Sequence, residues 1–189
     1  YLLLFFLLAI FFIANYELFS VFKKISNILF LDLVLILALF SIYYLAENFL
    51  WLLLWVIILV ICSDIGGYVF GKIFKWKKLT KISPKKTLSG VLGSFIFSLL
   101  SVFIIQIIIE NLQAVPRDNF LEPEFFFLAI VFSLVAQAGD LTISYFKRLE
   151  KIKDTGKILP GHGGIFDRID GLMFVLIVTF VFYKLHFIP

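Results

Sequence analysis

Cysteine, histidine and charge are all scarce in this chain. The single cysteine, Cys62, permits no internal disulfide, and with only two histidines nothing resembles a Cys/His zinc ligand set. Charged residues are 16% of the 189, gathered in short clusters, and no repeat, low-complexity linker or separate soluble region is visible. What fills the sequence is apolar: 62% hydrophobic, 25 phenylalanines and a mean hydropathy of +1.07. A soluble globular domain carries roughly 45–50% apolar residues. Runs of this kind bury their side chains in lipid or against one another, and about 20 residues span the hydrocarbon core. The expected fold is all-α, a polytopic transmembrane helical bundle in one integral membrane domain over residues 1–189.

Six apolar segments stand out, at about Leu2–Ala14, Ile28–Leu45, Leu50–Ile65, Val91–Ile109, Phe125–Ala138 and Leu172–Tyr183. Several are shorter than a full span, and Asp64, Asp140 and Asp170 mark borders where polar helix is expected to continue. The chain opens at Tyr1 inside an apolar run, with no basic region before it and no small-residue cleavage site after it. A signal peptide is therefore not expected, and part of the natural N-terminus is expected to be missing. Fifteen of the 17 Lys and Arg residues fall in alternate loops: Lys23 and Lys24, seven lysines from Lys72 to Lys86, and the cluster from Lys147 to Arg168. The positive-inside rule makes that side cytoplasmic and puts both termini outside.

Border carboxylates are costly near a membrane and invite a functional reading. Asp64, Gly67, Tyr68 and Gly71 share a helical face. Helix packing through Gly67-x-x-x-Gly71 explains the glycines equally well, but not the aspartate. Gly66–Lys72 mimics a phosphate-binding loop, yet Ile73 stands where Ser or Thr is needed and no strand precedes it, so that reading fails. Gln137, Asp140 and Ser144 stack on another face, ahead of Lys147 and Arg148. Asp167 and Asp170 form an i, i+3 pair before the last segment. Aspartates from two helices can hold a hard divalent ion such as Mg²⁺, with Asp140, Asp167 and Asp170 as candidate ligands; interface salt bridges to Lys147, Arg148 and Arg168 are the competing account. Gly161, Gly163 and Gly164 free backbone N–H groups to face an anion, with His162 among them. The lysine clusters also suit a solvated or headgroup-facing surface.

The stretch Ser144-Tyr-Phe-Lys-Arg, then Lys153-Asp154, then Leu159-Pro-Gly-His-Gly-Gly-Ile-Phe-Asp-Arg-Ile-Asp170 is more specific than its parts. It resembles the signature of the phosphatidate cytidylyltransferase (CDP-diacylglycerol synthase) family. So do Ser63-Asp64 with Gly71-Lys72, Ile82-Ser83-Pro84-Lys85-Lys86-Thr87 with Gly90, and Gln137-Ala138-Gly139-Asp140. The similarity covers roughly Ile61–Gly171; residues 1–60 share only apolarity, and 172–189 form a last span. Leu88-Ser89 departs from the acidic residue that family members often carry before the glycine.

The resemblance implies Mg²⁺-dependent transfer of a cytidylyl group from CTP to phosphatidic acid, giving CDP-diacylglycerol and pyrophosphate, at the cytoplasmic face of a bacterial-type inner membrane. It implies Asp140, Asp167, Lys147, Arg148 and His162 as catalytic residues, with Asp140, Asp167 and Asp170 on the metal. Substrate contacts would come from Lys85, Lys86, Ser83, Thr87 and Asp64, from Ser144, Lys153, Asp154 and Arg168, and from Gly161, Gly163 and Gly164. A lipid phosphate is already an anionic nucleophile, so positioning and charge neutralisation suffice without a Ser or Cys nucleophile. Membrane lipid is the expected partner, nucleic acid is not, and a homodimer is left open. A cytidylyltransferase for an ether-lipid or polyprenyl phosphate would keep the CTP half of the site. A transporter predicts carboxylates at mid-span instead. A CDP-alcohol phosphotransferase lacks its Asp-Gly-x-x-Ala-Arg stretch here, and a lipid phosphatase wants Ser at Gly161.

Overall fold

A computed structural model describes residues 1–80, 82–84, 86–114, 119–156 and 163–188. It contains six helices: α1 (Leu2–Val21), α2 (Ile25–Asn48), α3 (Leu50–Phe74), α4 (Leu88–Asn111), α5 (Pro123–Leu149) and α6 (Phe166–Lys184). Among the described residues there is no strand, only an isolated bridge between Lys78 and Thr87. Helices α1 to α5 are long and apolar enough to cross a membrane, which makes the chain a multi-pass membrane protein. Helix α6 falls short of that measure because Asp167, Arg168 and Asp170 occupy its first turns; its apolar stretch begins at Leu172.

Local chemistry sets the ends. Pro123 starts α5, where its missing N–H costs nothing, and Lys147 and Arg148 occupy the last turn, favourable for its dipole. Thr87 caps α4, its Oγ1 accepting from Gly90 N at 3.1 Å. Several helices outrun their apolar segments. α3 continues nine residues past Ile65, α5 eleven past Ala138 and α1 seven past Ala14, carrying polar side chains into the bundle.

The tightest seam joins α3 to α4. Gly66 faces Gly93, and a Cβ on either would meet the other's carbonyl oxygen. A Cβ on Gly67 would stand 2.7 Å from Ser94 Oγ, so these glycines serve close backbone approach. Ser94 Oγ donates to Ser63 O (2.8 Å), and Ser63 Oγ lies 2.8 Å from Ser133 Oγ on α5. At one end of the bundle Trp55 packs against Phe120, Phe125 and Phe132, its indole N–H donating to Ser101 Oγ at 3.2 Å. At the other end the lysine-rich segments meet. There Asn27 Nδ2 and Lys24 N donate to Glu150, and Arg148 Nε donates to Ile82 O.

Candidate active site

A cavity of about 450 Å³ opens at the lysine-rich end, in the size range of small-molecule sites. Helix α3 gives it Asp64, Gly67 and Tyr68; the segment entering α4 gives Leu79, Ser83, Lys86 and Thr87. Helix α5 contributes Gln137, Asp140 and Lys147, and the α5–α6 connection with α6 contributes Asp154, Asp167, Arg168 and Asp170.

Lys86 is placed by a folded-back connection in which Leu79 N donates to Lys86 O (2.8 Å) and Leu88 N to Lys77 O (3.0 Å). Its ammonium pairs with Asp140 Oδ2 at 2.5 Å and donates to Gln137 O at 3.4 Å. Ser144 Oγ donates to the other oxygen, Oδ1 of Asp140, at 3.3 Å. Across the cavity Lys147 Nζ donates to Asp167 Oδ1 at 2.8 Å, while Thr155 N and Gly164 N donate to Oδ2 at 2.8 and 3.0 Å. Burial alone would push the Asp167 carboxyl up, but these donors outweigh it and hold the group below the usual carboxylate range.

Asp170 is held differently. Its Oδ1 accepts from the N–H of the next residue, Gly171 N, at 2.8 Å. Burial, the Asp140 charge and the Asp64 charge raise its carboxyl to about 7, against the opposing pull of Gly171 N–H and Lys147. Asp64, Asp140 and Asp170 are thus close enough to repel one another across one cavity.

Ten of the residues nominated from sequence meet in this cavity: Asp64, Ser83, Lys86, Thr87, Asp140, Lys147, Asp154, Asp167, Arg168 and Asp170. Lys85, Gly161 and His162 lie outside the described residues. Arg148 is not on the cavity wall. It braces the loops by donating to Ile82 O (3.4 Å) and Ile152 O (2.8 Å). Lys153 is exposed away from the lining, and Ser144 acts through Asp140. Gly164 spends its N–H on Asp167. Gly163, at φ +82°, has no room for a Cβ, which would stand 2.9 Å from Asp167 Oδ2. Of the aspartate–cation pairings weighed from sequence, Lys147 with Asp167 is present, while Asp140 takes Lys86.

Mg²⁺ fits this donor set. Among the described residues no three carboxylate, imidazole or thiolate side chains cage an ion by themselves. Mg²⁺ does not require that, since it takes one or two carboxylates together with water and substrate phosphate oxygens. Asp140 and Asp170, whose charges oppose each other, suit it better than Asp167, whose two oxygens already accept three hydrogen bonds. Sequence reasoning missed Glu17 of α1, which reaches the start of α6. A carboxylate three residues past an apolar run was the available signal.

Residues 1–186 match the family described as "Cytidylyltransferase family". Similar curated proteins include the phosphatidate cytidylyltransferases of Helicobacter pylori (38% identical over 123 residues, 65% of this chain and 43% of that protein) and of Rickettsia conorii (39% over 136, 67% and 57%). That of Haemophilus influenzae is 42% identical over 124 residues, 65% of this chain and 42% of that protein. The chain spans about half the length of the curated relatives it matches.

Proposed function

We propose, from the premise that the chain belongs to the cytidylyltransferase family, that it carries the site at which CTP and phosphatidic acid react to give CDP-diacylglycerol and pyrophosphate. A phosphate oxygen of phosphatidic acid forms a bond to the α-phosphorus of CTP as the bond from that phosphorus to the bridging oxygen of pyrophosphate breaks. The nucleophile is already anionic, so the site must position two polyanions and balance their charge. The observation that supports this best is one cavity holding Lys86 and Lys147, each already paired with an aspartate, beside Arg168.

Lys86 is suited to leave Asp140 for an arriving phosphate, and Lys147 sits where it can do the same between Asp167 and the nucleotide. Such exchange keeps each ammonium paired throughout, avoiding the cost of an unpartnered charge in a partly buried site. A Mg²⁺ ion held by Asp140 and Asp170 would supply Lewis-acid neutralisation of phosphate oxygens. Asp167, fixed by Lys147 and two backbone amides, holds the loop before α6 against the end of α5. In this reading the lysine-rich end, and the cavity with it, faces the cytoplasm, as the excess of Lys and Arg there favours.

The test uses purified protein, radiolabelled CTP, Mg²⁺ and lipid phosphates in parallel: phosphatidic acid, an ether-linked analogue and a polyprenyl phosphate. A CMP-containing lipid formed fastest from phosphatidic acid is the expected result. Preference for another acceptor would reassign the substrate, and no labelled lipid from any acceptor would remove the reading.

A further inference from the structure

No residue of α1 is among those lining the cavity, yet one of its side chains reaches the junction where α6 begins. Glu17 lies four residues before the end of α1 and is only 1% exposed. A carboxylate buried among apolar helices must find hydrogen-bond donors. Its Oε1 accepts from Ile165 N at 3.0 Å and its Oε2 from Phe166 N at 3.1 Å. The first amides of a helix have no partner within it, and the positive end of its dipole favours a negative charge. Ile165, in the capping position of α6, has no side chain able to satisfy them. The cap therefore comes from another helix.

The surroundings are shaped to this carboxylate. A Cβ on Gly156 would come 2.5 Å from Glu17 Oε1, and one on Gly164 would come 2.5 Å from Oε2. Phe166 is fully buried directly before Asp167, with Arg168 and Asp170 following within a turn. Fixing the amides of residues 165 and 166 fixes the direction in which those three side chains leave the helix.

We propose that Glu17 is a positioning residue for the cavity: from α1 it caps α6 and so aims Asp167, Arg168 and Asp170. Its effect on turnover rests on the transferase reading above; its effect on the start of α6 does not. The test compares wild-type protein with Glu17→Ala and Glu17→Gln, all purified as full chains in detergent, by hydrogen–deuterium exchange and by CMP-lipid formation. Glu17→Ala should speed exchange in the segment 163–169 at least about tenfold while the α3–α4 seam exchanges as in wild type. Its kcat should fall at least about tenfold, with the KM for CTP changed less than about threefold. Glu17→Gln keeps one acceptor oxygen and should fall between, a partial rescue that loss of bulk alone does not predict. If Glu17→Ala does not fold, the Gln variant decides by the same two readouts. Unchanged exchange at 163–169, or faster exchange spread evenly over all helices, would overturn the proposal. If the wild type itself makes no CMP-lipid, the transferase reading fails, and exchange still decides the role of Glu17.

Discussion

Asp167 and Asp170 stand three residues apart on α6, and their surroundings push them in opposite directions. Asp167 has its carboxyl held low, so its ionised form stabilises the fold above the ordinary aspartate range, and that stability is lost as pH falls through its lowered value. Asp170 has its carboxyl raised to about 7, so ionising it works against the fold, and this penalty grows as pH rises from about 4 to about 7. In EDTA at pH 8, Asp167→Asn should lower stability by about 3 kcal/mol, as expected for breaking a mostly buried pair. Asp170→Asn should raise it there, with a smaller gain at pH 5. Thermal unfolding at the two pH values checks both signs. Adding Mg²⁺ should raise the wild-type Tm and leave that of Asp170→Asn nearly unmoved. Asp140→Asn should cost at least about a hundredfold in kcat/KM, on the order of 3 kcal/mol; wild-type-like turnover would remove Asp140 from the chemistry. The sequence marked all three aspartates through their place beside apolar borders. Spacing along a helix does not tell which oxygens are already engaged, so it could not separate the anchored Asp167 from the strained Asp170.

Between elements, the α3–α4 seam sets how Asp64 faces Lys86. Gly93→Ala would drive a methyl group into Gly66 O and the Phe70 ring, an overpacking that costs about 1–3 kcal/mol. Lower Tm and loss of turnover at temperatures where the protein is still folded are expected, because α3, which carries Asp64, and α4, which Lys86 leads into, must move apart. Equal activity at equal temperature would show that the seam does not position the site. A second coupling links α1 to the connection between α5 and α6. Gly156→Ala should impair CMP-lipid formation where Glu17 is present and do so several-fold less in a Glu17→Ala background, a non-additivity expected of groups in contact. The helices themselves were legible from apolar runs, and the polar continuation of α3 and α5 from the aspartates at their borders, but not the residues at which those helices stop. Glu17 is buried with its partners at the start of α6, and hydropathy cannot anticipate partners more than a hundred residues away.

For the molecule as a whole, the six-helix bundle and the gathering of lysine-bearing ends follow from segment count and charge alternation. The folded-back path that brings Lys86 to Asp140 does not, because it depends on backbone bonds in a segment without apolar pattern. Sidedness is testable in a Cys62→Ser background. Cysteines replacing exposed Lys77 and Lys153 should resist impermeant thiol reagents in intact cells, while one replacing exposed Glu122 should react. Labelling of either lysine position before permeabilisation would reverse the topology.

The bond between Glu17 and Phe166 spans 149 residues. At about 5–20 residues per second of synthesis, α1 waits roughly 7 to 30 seconds in the bilayer before the amides that receive its carboxylate exist. Until then Glu17 must stay near the interface, where water can solvate it. A nascent chain that stalls before α6 keeps an unclaimed carboxylate on α1, a mark that distinguishes an unfinished bundle from a finished one.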